Sequence, residues 1–141
     1  MSGSTRYVLF PLGRKRLAIP AEHVVELVPV ATVHRFPHRT PLLDGVLLRN
    51  DAVVPVLDVA RALTGPLGVE DAPKGRFFLI ASLSRNQRVA VPVTGECEMV
   101  IADITPAPVE MPECIDGILV LPTEMVEVLS LSRMLSMGVS A

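Results

Sequence analysis

Apolar residues along the chain come in short, punctuated blocks. Residues 7–12, 17–20, 46–49 and 53–59 are runs rich in Val, Ile and Leu, separated by Gly13, Pro37, Pro41 and the Asn50-Asp51 pair. The second half has the same texture, at 77–83, 89–93, 99–102, 118–121 and 125–131. Runs of four to eight such residues bounded by turn formers predict strands, and many short strands at this spacing suggest small barrels. Three brief helical turns are predicted, over 21–27 after Pro20, over 59–63 before Gly65, and over 131–135. Proline cannot donate to a ladder, so Pro11, Pro20, Pro55 and Pro92 are expected at strand ends, edges or bulges.

The blocks repeat. Shifting the sequence by 72 residues places Gly45 to Leu63 on Gly117 to Leu135 with seven identities: 45/117, 47/119, 54/126, 56/128, 57/129, 61/133 and 63/135. The same shift pairs Arg16 with Arg88, Ala18 with Ala90, Pro20 with Pro92, Glu26 with Glu98, Val28 with Val100 and Asp44 with Asp116. Chance would give roughly a quarter of these 13 matches, so the chain is read as two diverged copies of one unit. The halves run over about 6–66 and 76–136. The Gly-, Pro- and charge-rich stretch 64–76 reads as their linker.

Composition narrows the classes. Half of the 141 residues are apolar and only one-fifth are charged, which excludes wholesale disorder. A formal charge of −2 argues against a nucleic-acid binder. The halves differ, with eight basic and six acidic side chains in 1–70 but five and nine in 71–141. No apolar run approaches the roughly 18 to 20 residues of a spanning helix, and the start lacks a signal-peptide pattern. The expectation is a soluble, cytoplasmic protein without direct membrane insertion. Cys97 and Cys114 match neither a metal knuckle nor a disulfide framework and read as ordinary buried or half-buried thiols.

Candidate chemistry is sparse. His34 and His38 are four apart, but Pro37 and Pro41 deny them a helix, and no acidic or Cys partner stands at ligand spacing. Asp58 has no nucleophile or histidine near it in sequence and reads as a cap for the turn that follows. Gly13-Arg-Lys-Arg16 could meet an anion but also makes a solvated hairpin turn. No enzyme signature is present, and neither a cofactor nor a metal is expected.

Taken together and in order, several segments resemble the CheW-like chemotaxis coupling domain across roughly residues 6 to 136. They are Tyr7-Val-Leu-Phe-Pro-Leu-Gly13, Leu17-Ala-Ile-Pro20, Val24-Val-Glu-Leu27, Phe36-Pro37 through Pro41, Gly45-Val46, Val53-Val-Pro-Val-Leu-Asp-Val59 and the 125–135 tail. The resemblance implies a single, mainly β domain of two intertwined, five-stranded, SH3-like barrels with a few short helices, which would account for the repeat.

It also implies a non-enzymatic adaptor, at receptor arrays, between the cytoplasmic tips of methyl-accepting chemoreceptors and the regulatory domain of a CheA-type histidine kinase. Carried over by resemblance, the receptor side comprises Val24, Val25, Glu26, Gly45, Arg49 and Asn50. The kinase side is sought around Leu42, Leu43 and Leu48. Leu27 is read as core or surface with equal weight, Val24 more as surface.

One departure stands out. The family usually has Asn-Leu-Arg-Gly where this chain has Leu48-Arg49-Asn50-Asp51, so Arg49 lies one place from the usual arginine position. A one-residue displacement in a strand reverses the face, so Arg49 serves only if the turn is re-registered. The alternative reading is a diverged docking or localisation scaffold in an accessory chemosensory system that does not couple a kinase in the usual way.

Overall fold

The computed structural model describes residues 5–13, 15–29, 32–34, 43–49, 52–59, 76–84, 87–111 and 114–140. Eleven strands follow one another: β1 (Thr5–Leu12), β2 (Lys15–Pro20), β3 (Val24–Pro29), β4 (Leu43–Arg49), β5 (Ala52–Leu57), β6 (Phe77–Ser84), β7 (Gln87–Val93), β8 (Glu98–Ala102), β9 (Ile104–Pro106), β10 (Ile115–Val120) and β11 (Met125–Leu129). The helix α1 (Leu131–Ser140) follows β11. Most predicted strands are present. The predicted turn over 21–27 is not: a 3₁₀ turn covers only Ala21–His23, because the β-branched Val24 and Val25 enter β3 and pair it with β6. The runs predicted over 53–59 and 125–131 stop as strands at Leu57 and Leu129. The linker 64–75 and His38 lie outside the described residues, as do Leu42 and Asn50.

Two sheets result, in the orders β3-β6-β7-β5-β4, called barrel 1 below, and β8-β1-β2-β11-β10-β9, called barrel 2. The second has six strands rather than the expected five, the short β9 being the addition. Both curl back on themselves. In barrel 1 the outer strands β3 and β4 are bridged by a side-chain ion pair, and in barrel 2 the outer strands β8 and β9 are separated by Asp103 alone.

The repeat does not coincide with the barrels. Barrel 1 takes β3, β4 and β5 from the first half and the hairpin β6–β7 from the second; barrel 2 takes β1–β2 from the first half and the rest from the second. Each half has lent its leading hairpin to the other. The registers match under the 72-residue shift: Ala18 opposite Val128 in barrel 2 becomes Ala90 opposite Val56 in barrel 1. Even the bulges match, between Leu43 and Gly45 and between Ile115 and Gly117. β1 and β6 depart, matching at a shift of 71 (Tyr7 opposite Pro20, Phe78 opposite Pro92), with a register break between Ser82 and Ser84 absorbing the extra residue, and His34 opposite Val46 likewise matches Thr105 opposite Ile118. Pro55 and Pro92 sit inside central strands, and the β5–β7 ladder beside them is reduced to the single pair Val56–Ala90.

Alternation along the strands fills three apolar clusters. Val28, Leu47, Val54, Val56, Phe78, Ile80 and Ala90 fill barrel 1. Tyr7, Leu9, Ala18, Leu119, Val126 and Val128 fill barrel 2. A larger shared cluster, including Phe10, Leu17, Ile19, Leu57, Leu79, Val91, Leu129 and Met134, joins strands of both barrels and α1. Strands β2 and β7 are therefore apolar on both faces, with Leu17, Ala18, Ile19, Val89, Ala90 and Val91 fully buried. At Gly117 a Cβ would lie 2.5 Å from the backbone oxygen of Thr105, so only glycine lets β9 approach β10 this closely.

Candidate functional site

Strand β3 sets the first group of candidate residues. Val24 and Glu26 are half-buried and Val28 is buried, whereas Val25, Leu27 and Pro29 are exposed. Val24, expected at the surface, packs against the shared core, while Leu27 points outward. The break in register between Val24 and Glu26 is where this alternation is set.

Strand β4 supplies the second group. Gly45 is buried opposite Val56, and Leu43 is half-buried against the shared core, so both serve the packing of the barrel. Leu48 is 64% exposed and directly opposite Val53, which is 62% exposed. Two large aliphatic side chains thus stand side by side in solvent at the end of the β4–β5 hairpin.

Arg49 lies against Glu26. Its Nη2 donates to Glu26 Oε1 at 3.0 Å and its Nε to Oε2 at 3.3 Å, a two-pronged fork across the closure of barrel 1. These hydrogen bonds and the charge behind them hold the Glu26 carboxyl below the usual carboxylate range and raise the Arg49 guanidinium; Arg88 adds a further attraction on Glu26. Arg49 thus reaches the β3 acid from the position it holds in this chain. Glu26 and Arg49 are thus brought together, with Val25, Leu27 and Leu48 exposed on the same two strands.

The other sequence candidates are absorbed by the fold. Lys15 pairs with Glu127, and Arg16 bridges Glu98 and Glu124 at 3.2 Å each, so the basic turn is tied into barrel 2. His34 is held to Val46 by two backbone hydrogen bonds of 2.9 Å. Cys114 is buried and Cys97 half-buried, and burial pushes both thiols up.

Sequence reasoning missed a second set of exposed apolar residues, on barrel 2. Met99 and Ile101 on β8, and Val120 opposite Met125 on β10–β11, are each at least 60% exposed. The signal was available: the 72-residue shift superposes Leu48 on Val120 and Val53 on Met125, apolar in both copies at positions that strand alternation turns outward.

The family model for the CheW-like domain matches residues 6–139. The chain belongs to the CheW-like domain family. Among solved structures it is similar to the scaffolding protein TtCheW from Thermoanaerobacter tengcongensis, with a TM-score of 0.80 and 18% sequence identity, over 93% of this chain and 87% of that one. No curated protein matches the sequence. The likeness accounts for the paired SH3-like barrels, and no helix among the described residues is long and apolar enough to cross a membrane.

Proposed function

We propose that this chain is a non-enzymatic scaffold that couples the cytoplasmic tips of methyl-accepting chemoreceptors to the regulatory domain of a CheA-type histidine kinase, at cytoplasmic receptor arrays. The observation that carries the reading is the Glu26–Arg49 fork between β3 and β4, flanked by the exposed Val25, Leu27 and Leu48 on a CheW-like fold. An apolar surface rimmed by a fixed ion pair suits a helical protein partner, whose nonpolar stripe lies on the aliphatic groups while the charges set its orientation. Val25, Glu26, Leu27 and Arg49 are assigned to the receptor side. Val24, Gly45 and Leu43 support them from within the barrel, and Leu48 is assigned to the kinase side.

The displaced arginine motivates the alternative of a scaffold that does not couple a kinase in the usual way. Arg49 reaching Glu26 weakens that motive, so coupling is the better-supported role. Calorimetric titration against the regulatory domain of the same cell's CheA-type kinase tests it. Low-micromolar binding that weakens at least about tenfold with Leu48→Asp is expected. Co-sedimentation with receptor tips should be lost with Leu27→Asp. No binding to the kinase domain at high concentration would overturn coupling in favour of the accessory scaffold.

A further inference from the structure

The outward faces of the two barrels differ in one chemical respect. Where barrel 1 carries Leu27 and Val53, the repeat places Met99 and Met125 on barrel 2. Both residues are open to solvent, at 60% and 71% exposure, and the next residue along each strand, Val100 or Val126, packs into the barrel 2 core. Two other methionines provide an internal scale: Met111 is half-buried against the shared core and Met134 is fully buried within it.

We propose that Met99 on β8 and Met125 on β11 are two oxidation sites that make the outer surface of barrel 2 more polar and leave the strands of barrel 1 unaltered. The chemistry requires a peroxide as the oxidant. A sulfur lone pair attacks one peroxide oxygen, an S–O bond forms as the O–O bond breaks, and the departing oxygen leaves as water after taking up a proton. Sulfur is oxidised by two electrons and the peroxide is reduced by two. The sulfoxide oxygen accepts hydrogen bonds from water, so a flexible apolar side chain becomes a polar one. Leu27 and Val53 have no atom that undergoes this reaction, so the sensitivity is confined to one barrel. The surface keeps Ile101 and Val120 but loses its two most polarisable contacts. These sites stand on exposure and residue chemistry, and do not require the coupling role proposed above.

The test treats the full chain with dilute hydrogen peroxide, maps oxidised peptides by mass spectrometry and measures retention on a weakly hydrophobic matrix. Met99 and Met125 are expected to oxidise at least about tenfold faster than Met134, whose sulfur is reached only through opening of the fold. Retention should fall without a change in melting temperature and recover after methionine sulfoxide reductase. The Met99→Leu/Met125→Leu chain should keep its retention through the same treatment. Oxidation of Met134 as fast as Met99, or an equal loss of retention in the double variant, would overturn the proposal. Kinase-domain binding measured alongside separates the two readings. If that binding is absent before and after peroxide while retention falls, the coupling role fails and the oxidation sites stand.

Discussion

Inside, the two barrels are near copies; outside, they are not. Leu47 and Leu119, Val54 and Val126, Val56 and Val128, and Ala90 and Ala18 are identical pairs filling equivalent interior positions. On the surface Leu27 stands where barrel 2 has Met99, and the Glu26-paired Arg49 stands where barrel 2 has Leu121, half-buried against its core. The equivalent acids Glu26 and Glu98 find different partners, Arg49 on β4 in one and Arg16 on β2 in the other. Tight packing in a small barrel penalises changes of volume, so the inner residues stayed alike while the outer ones were freer to diverge.

The largest test of this contrast lies in the cluster both barrels share. Leu57→Ala and Leu129→Ala, equivalent and almost fully buried, should each lower stability by about 2–5 kcal/mol in urea unfolding and do so in one transition. Two separate transitions would show barrels that fold independently. Gly117→Ala should cost about 1–3 kcal/mol, because the new Cβ meets the Thr105 carbonyl and must push β9 away. Hydrogen exchange should then quicken at Ile104 and Thr105 while the barrel 1 amides keep their protection.

Surface substitutions should do the reverse. Leu48→Asp and Val120→Asp, equivalent and each more than 60% exposed, should change stability by less than about 1 kcal/mol. Pull-down from cell lysate compared with wild type should show each variant losing a different set of proteins. Identical losses would mean that the two hairpin ends serve one partner and that the divergence has no functional content.

The smallest effect concerns acid. The Glu26 carboxyl sits below its unfolded value, so the fork with Arg49 contributes stability above about pH 4.3, and that contribution is lost as pH falls through the lower folded value. The urea midpoint of wild type should therefore drop more between pH 6 and about pH 3 than that of Arg49→Gln. Equal slopes would remove the fork as the source.

Much of the fold was legible because Val, Ile and Leu runs broken by Gly, Pro and Asn mark strands by local sterics alone. The resemblance likewise anticipated the paired barrels, although not the sixth strand β9. Residues 21–27 misled, since Pro20 and Glu22 look like a helix start and only pairing with β6 pulls Val24 and Val25 into a strand. Neither could a single sequence say which hairpin completes which barrel, because the 72-residue shift fits swapped and unswapped arrangements equally. At the site, Glu26 and Arg49 were visible as residue types at marked positions, but their meeting depends on how β3 and β4 close around barrel 1. The roles of Val24 and Leu27 turn on a local register break that has no residue signature.

The lent hairpins also set a timetable for synthesis. When the first half leaves the ribosome, β3, β4 and β5 have no β6–β7 to lie against, and β1–β2 must wait for β11, which ends only at Leu129. Barrel 1 cannot close until β7 has emerged at Val93, and barrel 2 not until β11 has emerged at Leu129. Until then the hairpins β1–β2 and β4–β5 can pair locally, but Leu17, Ile19 and Leu57 lack the second-half side chains of the shared core. The two barrels therefore complete in sequence, barrel 1 before barrel 2, although each borrows a hairpin from the other half.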